Sequence, residues 1–142
     1  MADECVFCRI LAGELPASFV LREGRVVAFM DIQPVNPGHV LVIPVRHADS
    51  LAELDADEAA EMMNAARRVA VALRASGLRC EGVNLFLADG EAAGQEVFHA
   101  HLHVFPRWGG DGFGFRFGPE YRNLPPRAAL DDAAEAIRGA LE

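Results

Sequence analysis

The chain has 142 residues, 51% of them hydrophobic and 24% charged, with a net charge of −8 at pH 7. That length suits one domain with a buried core, and the acidic balance argues against a protein that grips nucleic acid through a basic face. The start Met1-Ala2-Asp3-Glu4-Cys5 has neither a basic segment nor an apolar one, and no apolar run nears the ~20 residues of a bilayer span. A cytoplasmic protein with no membrane partner is expected. In chain order, residues 3–12 read as a short helix, with Val6, Phe7, Ile10 and Leu11 near helical spacing and Gly13 at its end. Apolar runs at 19–21 and 26–30 around Glu23-Gly24 predict a β-hairpin. Pro34, Pro37 and Gly38 mark a loop, and 39–45 reads as a buried strand.

A long helix is expected over 55–75, with Asp55 and Glu58 forming a capping box. Ala59, Met62, Met63, Ala66, Val69, Ala70 and Leu73 would form its apolar stripe. Residues 82–87 read as a strand, 88–96 as a Gly-bearing loop, and 97–105 as a strand stopped by Pro106. A last helix is placed near 127–141. Strands cluster rather than alternate with helices, which points to an α+β fold: an antiparallel sheet of about five strands, one long helix and a short N-terminal helix. Three cysteines in a cytoplasmic chain do not suggest a disulfide framework. Cys5-x-x-Cys8 suggests a metal or redox site, and Cys80 reads as a buried or idle thiol.

His99-Ala100-His101-Leu102-His103 is the most informative stretch. Side chains alternate across a strand, so the three imidazoles would share one face while Ala100, Leu102 and Val104 face the core. A single histidine is ordinarily a satisfied core or surface residue; three in strict alternation favour a site. One reading is a three-histidine metal site. The other is a histidine nucleophile flanked by orienting and phosphate-binding histidines. Gly90, Gly94 and Gln95 just upstream could make an anion-binding concavity. A neutral imidazole suits a nucleophile near pH 7, provided its other nitrogen is hydrogen-bonded and the tautomer thereby fixed.

With Gly94-Gln95 leading into His99-x-His101-x-His103 and Pro106-Arg107, the chain resembles the histidine-triad family, in its Hint-like bacterial branch. Upstream, the resemblance includes Asp31-Ile32-x-Pro34-x-Asn36-Pro37-Gly38-His39-Val40-Leu41-Val42-Ile43-Pro44, His47 and Cys5-Val6-Phe7-Cys8-Arg9-Ile10. It spans about residues 5–107. A catalytic domain is therefore drawn over 1–107, with 108–142 as an irregular segment plus helix of the same domain. The resemblance implies that His101 attacks the α-phosphorus of a nucleotide and carries the nucleotidyl group. His103 would contact the phosphate with Gln95 and the backbone at Val97, and His39 would lie in the same cluster. Asp31 would hold the ribose, and Phe7, Ile10, Phe29 and Leu41 would wall the base; by residue type alone, those four are core residues.

The implied reaction is hydrolysis of nucleoside phosphoramidates or related adenosine conjugates, on a purine nucleotide with adenosine foremost. The alternatives are a dinucleoside polyphosphate hydrolase, a nucleotide-binding regulatory module with little turnover, or a metal-dependent enzyme using the three histidines as ligands. The resemblance also implies a homodimer joining two sheets, structural zinc on Cys5, Cys8, His47 and His99, and no organic cofactor. The chain departs from relatives at Ala88, where Asn or Gln is common, and at Glu96, where some carry Ser or Thr.

Overall fold

The computed structural model describes residues 4–142, which divide into two units, one through Gly112 and the other Phe113–Glu142. In the first unit the strands are β1 (Phe19–Glu23), β2 (Val26–Met30), β3 (Val40–Pro44), β4 (Gly82–Phe86) and β5 (Leu102–Arg107), with helices α1 (Val6–Leu11) and α2 (Ala56–Ala75). The strands form one fully antiparallel sheet in the order β1-β2-β3-β5-β4. The α+β expectation of five strands, one long helix and a short N-terminal helix holds. The expected start of the first helix at residue 3 lies outside the described residues; α1 begins at Val6, capped by the Cys5 sulfur, which accepts the Cys8 N–H at 3.4 Å.

Alternation along the central strands sorts their side chains onto two faces. Val26, Ala28, Val40, Val42, Leu102 and Val104 pack with Met62, Ala65, Ala66, Val69 and Leu73 of α2. Val27, Phe29, Leu41 and Ile43 point the other way and join Cys5, Phe7 and Ile10. The long helix thus covers one face and the short helix the other. The α2 stripe is narrower than expected: Ala59 and Met63 are exposed, and Ala65 is buried in their stead. Met63 follows a buried Met62, so the 100° step per residue turns it outward.

The capping box forms as expected. Asp55 Oδ1 accepts the Glu58 N–H at 2.7 Å, and Glu58 Oε1 accepts the Asp55 N–H at 3.0 Å. The Glu58 carboxylate is buried and paired with Arg46, whose Nη2 lies 2.5 Å from Oε1. This pair ties the segment after β3 to the start of α2.

The histidine strand corrects the expectation of 97–105. It begins at Leu102 and runs through Pro106 to Arg107, so His99 and His101 lie just before it. Pairing with β3 stops at Val42↔Leu102, and beyond that point the Ala100 N–H donates to the Ala48 carbonyl at 2.7 Å. Pro106 is tolerated because its carbonyl side faces the Asn36 side chain, not a strand. Its missing N–H therefore costs no ladder bond.

In the second unit, Phe117 stacks on Tyr121 at 3.9 Å between centroids, Phe113 meets Phe115 edge-on, and α3 spans Arg127–Ala140. Among the described residues no helix is long and apolar enough to cross a membrane.

Candidate functional site

His101 stands at the mouth of β5 with its imidazole buried to 6% exposure. Its Nδ1 lies 2.8 Å from the His99 carbonyl oxygen. A carbonyl only accepts, so Nδ1 carries the proton and Nε2 keeps its lone pair. Phe7 of α1 sits edge-on to this ring at 5.2 Å. Burial pushes the His101 pKa below its ordinary value; the bond to the His99 carbonyl and the Asp31 charge only partly offset it. The ring is therefore neutral near pH 7, with one nitrogen tethered and the other nucleophilic.

His39 and His103 form a second, linked pair. The Val35 N–H donates to His39 Nδ1 at 2.9 Å, which places the His39 proton on Nε2. That nitrogen lies 2.9 Å from His103 Nδ1. His103 Nδ1 thus accepts, and its own proton is left on Nε2. Asp31 Oδ2 approaches His39 Nε2 to 3.5 Å and His103 Nδ1 to 4.0 Å, while Oδ1 accepts the Gln33 N–H. The carboxylate favours protonation of both rings, yet burial wins. His39 is lowered, and His103 is pushed down to about 4 by burial, with the His101 and His39 rings adding to it. His103 is consequently a neutral donor, 4.9 Å from the His101 ring centroid. Asp31, His39 and His103 lie close enough to share a metal ion, but the 2.9 Å contact between the two histidines is a hydrogen bond that an ion would have to break.

Cys5, Cys8, His47 and His99 converge separately, their ligand atoms all within 4.8 Å of one another. Cys5 Sγ is 3.4 Å and Cys8 Sγ 3.6 Å from His99 Nδ1, and Cys8 Sγ is 3.3 Å from His47 Nδ1. A tetrahedral ion with the usual Zn–S and Zn–N bonds sets sulfur and nitrogen about 3.5 Å apart. The outer nitrogens are occupied: His99 Nε2–H donates to the Pro44 carbonyl at 2.7 Å and His47 Nε2–H to Asp49 Oδ1 at 2.6 Å. Both Nδ1 lone pairs thereby point at the cysteines, the arrangement that orients histidine ligands on a metal. The donor set fits a structural ion, and the cluster can hold one.

The structure brings the residues singled out in the sequence together in two groups: Asp31, His39 and His103 with His101 beside them, and Cys5, Cys8, His47 and His99. Phe7, Ile10, Phe29 and Leu41 lie together in the α1-side cluster, all buried, with Phe7 and Phe29 in edge contact at 5.4 Å. The Gln95 amide is hydrogen-bonded within the chain. Its Nε2 donates to the Asp49 and Val97 carbonyls at 2.7 and 3.1 Å, and its Oε1 accepts the Gly90 N–H. Its amide thus holds the 90–97 loop and ties it to the segment at Asp49, and Val97 packs against the α1-side cluster. Sequence reasoning did not single out Val35, whose N–H meets His39 Nδ1, or the hydrogen bond from Asn36 to Asp111 behind that loop. The run Asn36-Pro37-Gly38-His39 signalled a rigid loop, but nothing in it pointed to residue 111.

Comparison with known proteins agrees with this geometry. An uncharacterized HIT-like protein of Methanocaldococcus jannaschii is 38% identical over 135 residues, 95% of this chain and 99% of its own. The crystal structure of a HIT family protein from Bacillus anthracis superposes with a TM-score of 0.91 at 36% identity, over 100% of both chains. A Zn-bound histidine triad family protein from Mycobacterium smegmatis matches at TM-score 0.76 and 40% identity, over 96% of this chain and 99% of its own. A histidine triad nucleotide-binding protein from Candida albicans matches at TM-score 0.84 and 26% identity, over 96% of each. With the HIT domain profile matching residues 12–110, the chain belongs to the histidine-triad (HIT) family.

Proposed function

We propose that the protein hydrolyses nucleoside phosphoramidates or related adenosine conjugates at the α-phosphate through a nucleotidyl-His101 intermediate. Membership of the HIT family supports a nucleotide hydrolase or transferase in the broad sense. The observation that carries the finer reading is the His101 tether: Nδ1–H on the His99 carbonyl at 2.8 Å, with Nε2 free to attack. Attack forms the Nε2–P bond and breaks the bond from phosphorus to the leaving nitrogen, which departs as an amine with a proton from the medium. The imidazolium so formed keeps its Nδ1–H on the carbonyl, where the developing charge strengthens the bond. Water then adds to phosphorus, breaks the Nε2–P bond and releases a nucleoside monophosphate and a proton. In this reading His103 Nε2–H donates to a phosphate oxygen, and Phe7, edge-on to the His101 ring at 5.2 Å, packs beside the nucleophile.

Zinc is the ion proposed for the Cys5, Cys8, His47 and His99 cluster; bound there it would be structural. Those four residues fix His99, whose carbonyl in turn fixes the tautomer of His101. A homodimer joined through the outer strand β4, where Leu85 and Phe86 are exposed, is part of the same reading. The test is incubation with adenosine 5′-phosphoramidate beside a His101→Ala control. AMP release that vanishes in the control is expected. A folded wild type that releases no AMP would overturn the phosphoramidase reading and move attention to dinucleoside polyphosphates.

A further inference from the structure

We propose that Asp111 is a positioning residue that sets the tautomers of His39 and His103 through Asn36 and the 35–38 loop. The Asp111 side chain is only 2% exposed and is held by Arg107, with Nε 2.6 Å from Oδ2 and Nη2 3.0 Å from Oδ1. This two-pronged pairing fixes the carboxylate plane. Asp111 Oδ2 also accepts a hydrogen bond from Asn36 Nδ2 at 2.8 Å, across 75 residues of sequence. The same Asn36 amide donates to the Pro106 carbonyl at 2.9 Å, so both of its N–H bonds are engaged. The Asn36 carbonyl accepts the His39 N–H at 3.1 Å. Asn36, itself buried, is thereby anchored to the end of β5 on one side and to His39 on the other.

The consequence for the histidines follows bond by bond. Val35 precedes Asn36, and its N–H is the donor that keeps His39 Nδ1 bare. His39 must then carry its proton on Nε2, aimed at His103 Nδ1. His103 must in turn carry its proton on Nε2. If the loop is released, the Val35 N–H is no longer held on Nδ1. His39 can then take the other tautomer, and His103 loses the donor that fixed its own. A carboxylate suits this place better than a neutral side chain, since it accepts from Arg107 and Asn36 together and charge-assisted bonds are the stronger ones. The catalytic consequence rests on the proposed role of His103 at the phosphate.

The experiment pairs Asp111→Asn, which keeps shape and removes the charge, with Asn36→Ser, which removes both amide donors. Long-range 1H–15N correlation spectra of the imidazole rings read the tautomers directly and need no substrate. In the wild type, Nδ1 of His39 and of His103 is expected bare and Nε2 protonated. Either variant is expected to show mixed tautomers at both rings and a drop in kcat of about 10- to 100-fold, the usual cost of losing a residue that orients a functional ligand, with KM little changed. Folded variants with wild-type tautomers would overturn the proposal, whatever happens to their melting temperature. Mixed tautomers with unchanged kcat would leave the positioning standing and overturn the role given to His103 in turnover. Asn36→Ser carries the test alone if Asp111→Asn does not fold.

Discussion

Gly38→Ala tests how tightly the loop before His39 is built. Gly38 has φ of +105°, where an L side chain is strained, and a non-glycine residue held in such a region costs about 1–3 kcal/mol. A Cβ there would also lie 3.1 Å from Leu73 Cδ2, 3.1 Å from Leu78 Cδ1 and 3.3 Å from Pro106 Cγ. Leu78 is exposed and can swing aside, whereas Leu73 and Pro106 are buried and cannot. Overpacking of this kind costs about 1–3 kcal/mol, so a total of about 4 kcal/mol is expected. At about 3 °C per kcal/mol for a chain of this size, the melting temperature falls by about 12 °C. Gly13→Ala is the control, since Gly13 also has positive φ, +79°, but nothing within 4 Å of a Cβ; only the backbone strain of about 1–2 kcal/mol applies. Urea unfolding of both variants separates the two contributions. A Gly38→Ala loss within about 0.5 kcal/mol of the Gly13→Ala loss would refute the close-packing argument.

Asp55→Ala removes the α2 cap and is expected to cost about 1 kcal/mol in urea unfolding, with the loss appearing as a lower midpoint at unchanged slope. Removal of zinc by a chelator is expected to lower the melting temperature and restoration of zinc to recover it, since ligand at about 1,000-fold over its Kd stabilises by about 4 kcal/mol; an identical melt with and without chelator would exclude a stabilising ion at Cys5, Cys8, His47 and His99. Stability should also fall with pH below 6.5. The His103 imidazole takes a proton at an ordinary pKa of 6.5 when unfolded but only at about 4 when folded, and His39 shifts in the same direction. Between those values the unfolded chain binds more protons. A flat stability profile from pH 7 to 4.5 would contradict the burial of these rings.

Much of this was legible because period and spacing leave physical traces. The short apolar runs at 26–30 and 39–45, rich in β-branched residues, marked strands buried on both faces, and Asp55 with Glu58 marked the start of α2. The His99-His101-His103 spacing put three imidazoles on one side, and Cys5-x-x-Cys8 supplied half of a tetrahedral site. Period alone could not show where pairing ends. The strand looked continuous from Val97, but the Ala48 carbonyl captures the Ala100 N–H and the His99 ring turns to Pro44, so the ladder starts at Leu102. Gln95 read as a ligand donor because amide side chains beside glycines serve that purpose; its bond to the Asp49 carbonyl, 46 residues away, leaves no trace in local spacing. Asp111 was invisible for a different reason. Its partner Asn36 lies 75 residues away in sequence, and although Arg107 is only four residues before it, a lone aspartate among glycines carries no local pattern.

The central claim is that His101 Nε2 becomes covalently nucleotidylated. The most direct measurement is mass spectrometry of protein quenched during turnover of adenosine 5′-phosphoramidate, with the adduct located by fragmentation. The account predicts an adenylyl group on His101 that disappears in His101→Ala together with AMP release. AMP release that persists in His101→Ala without any protein-bound nucleotide would contradict it.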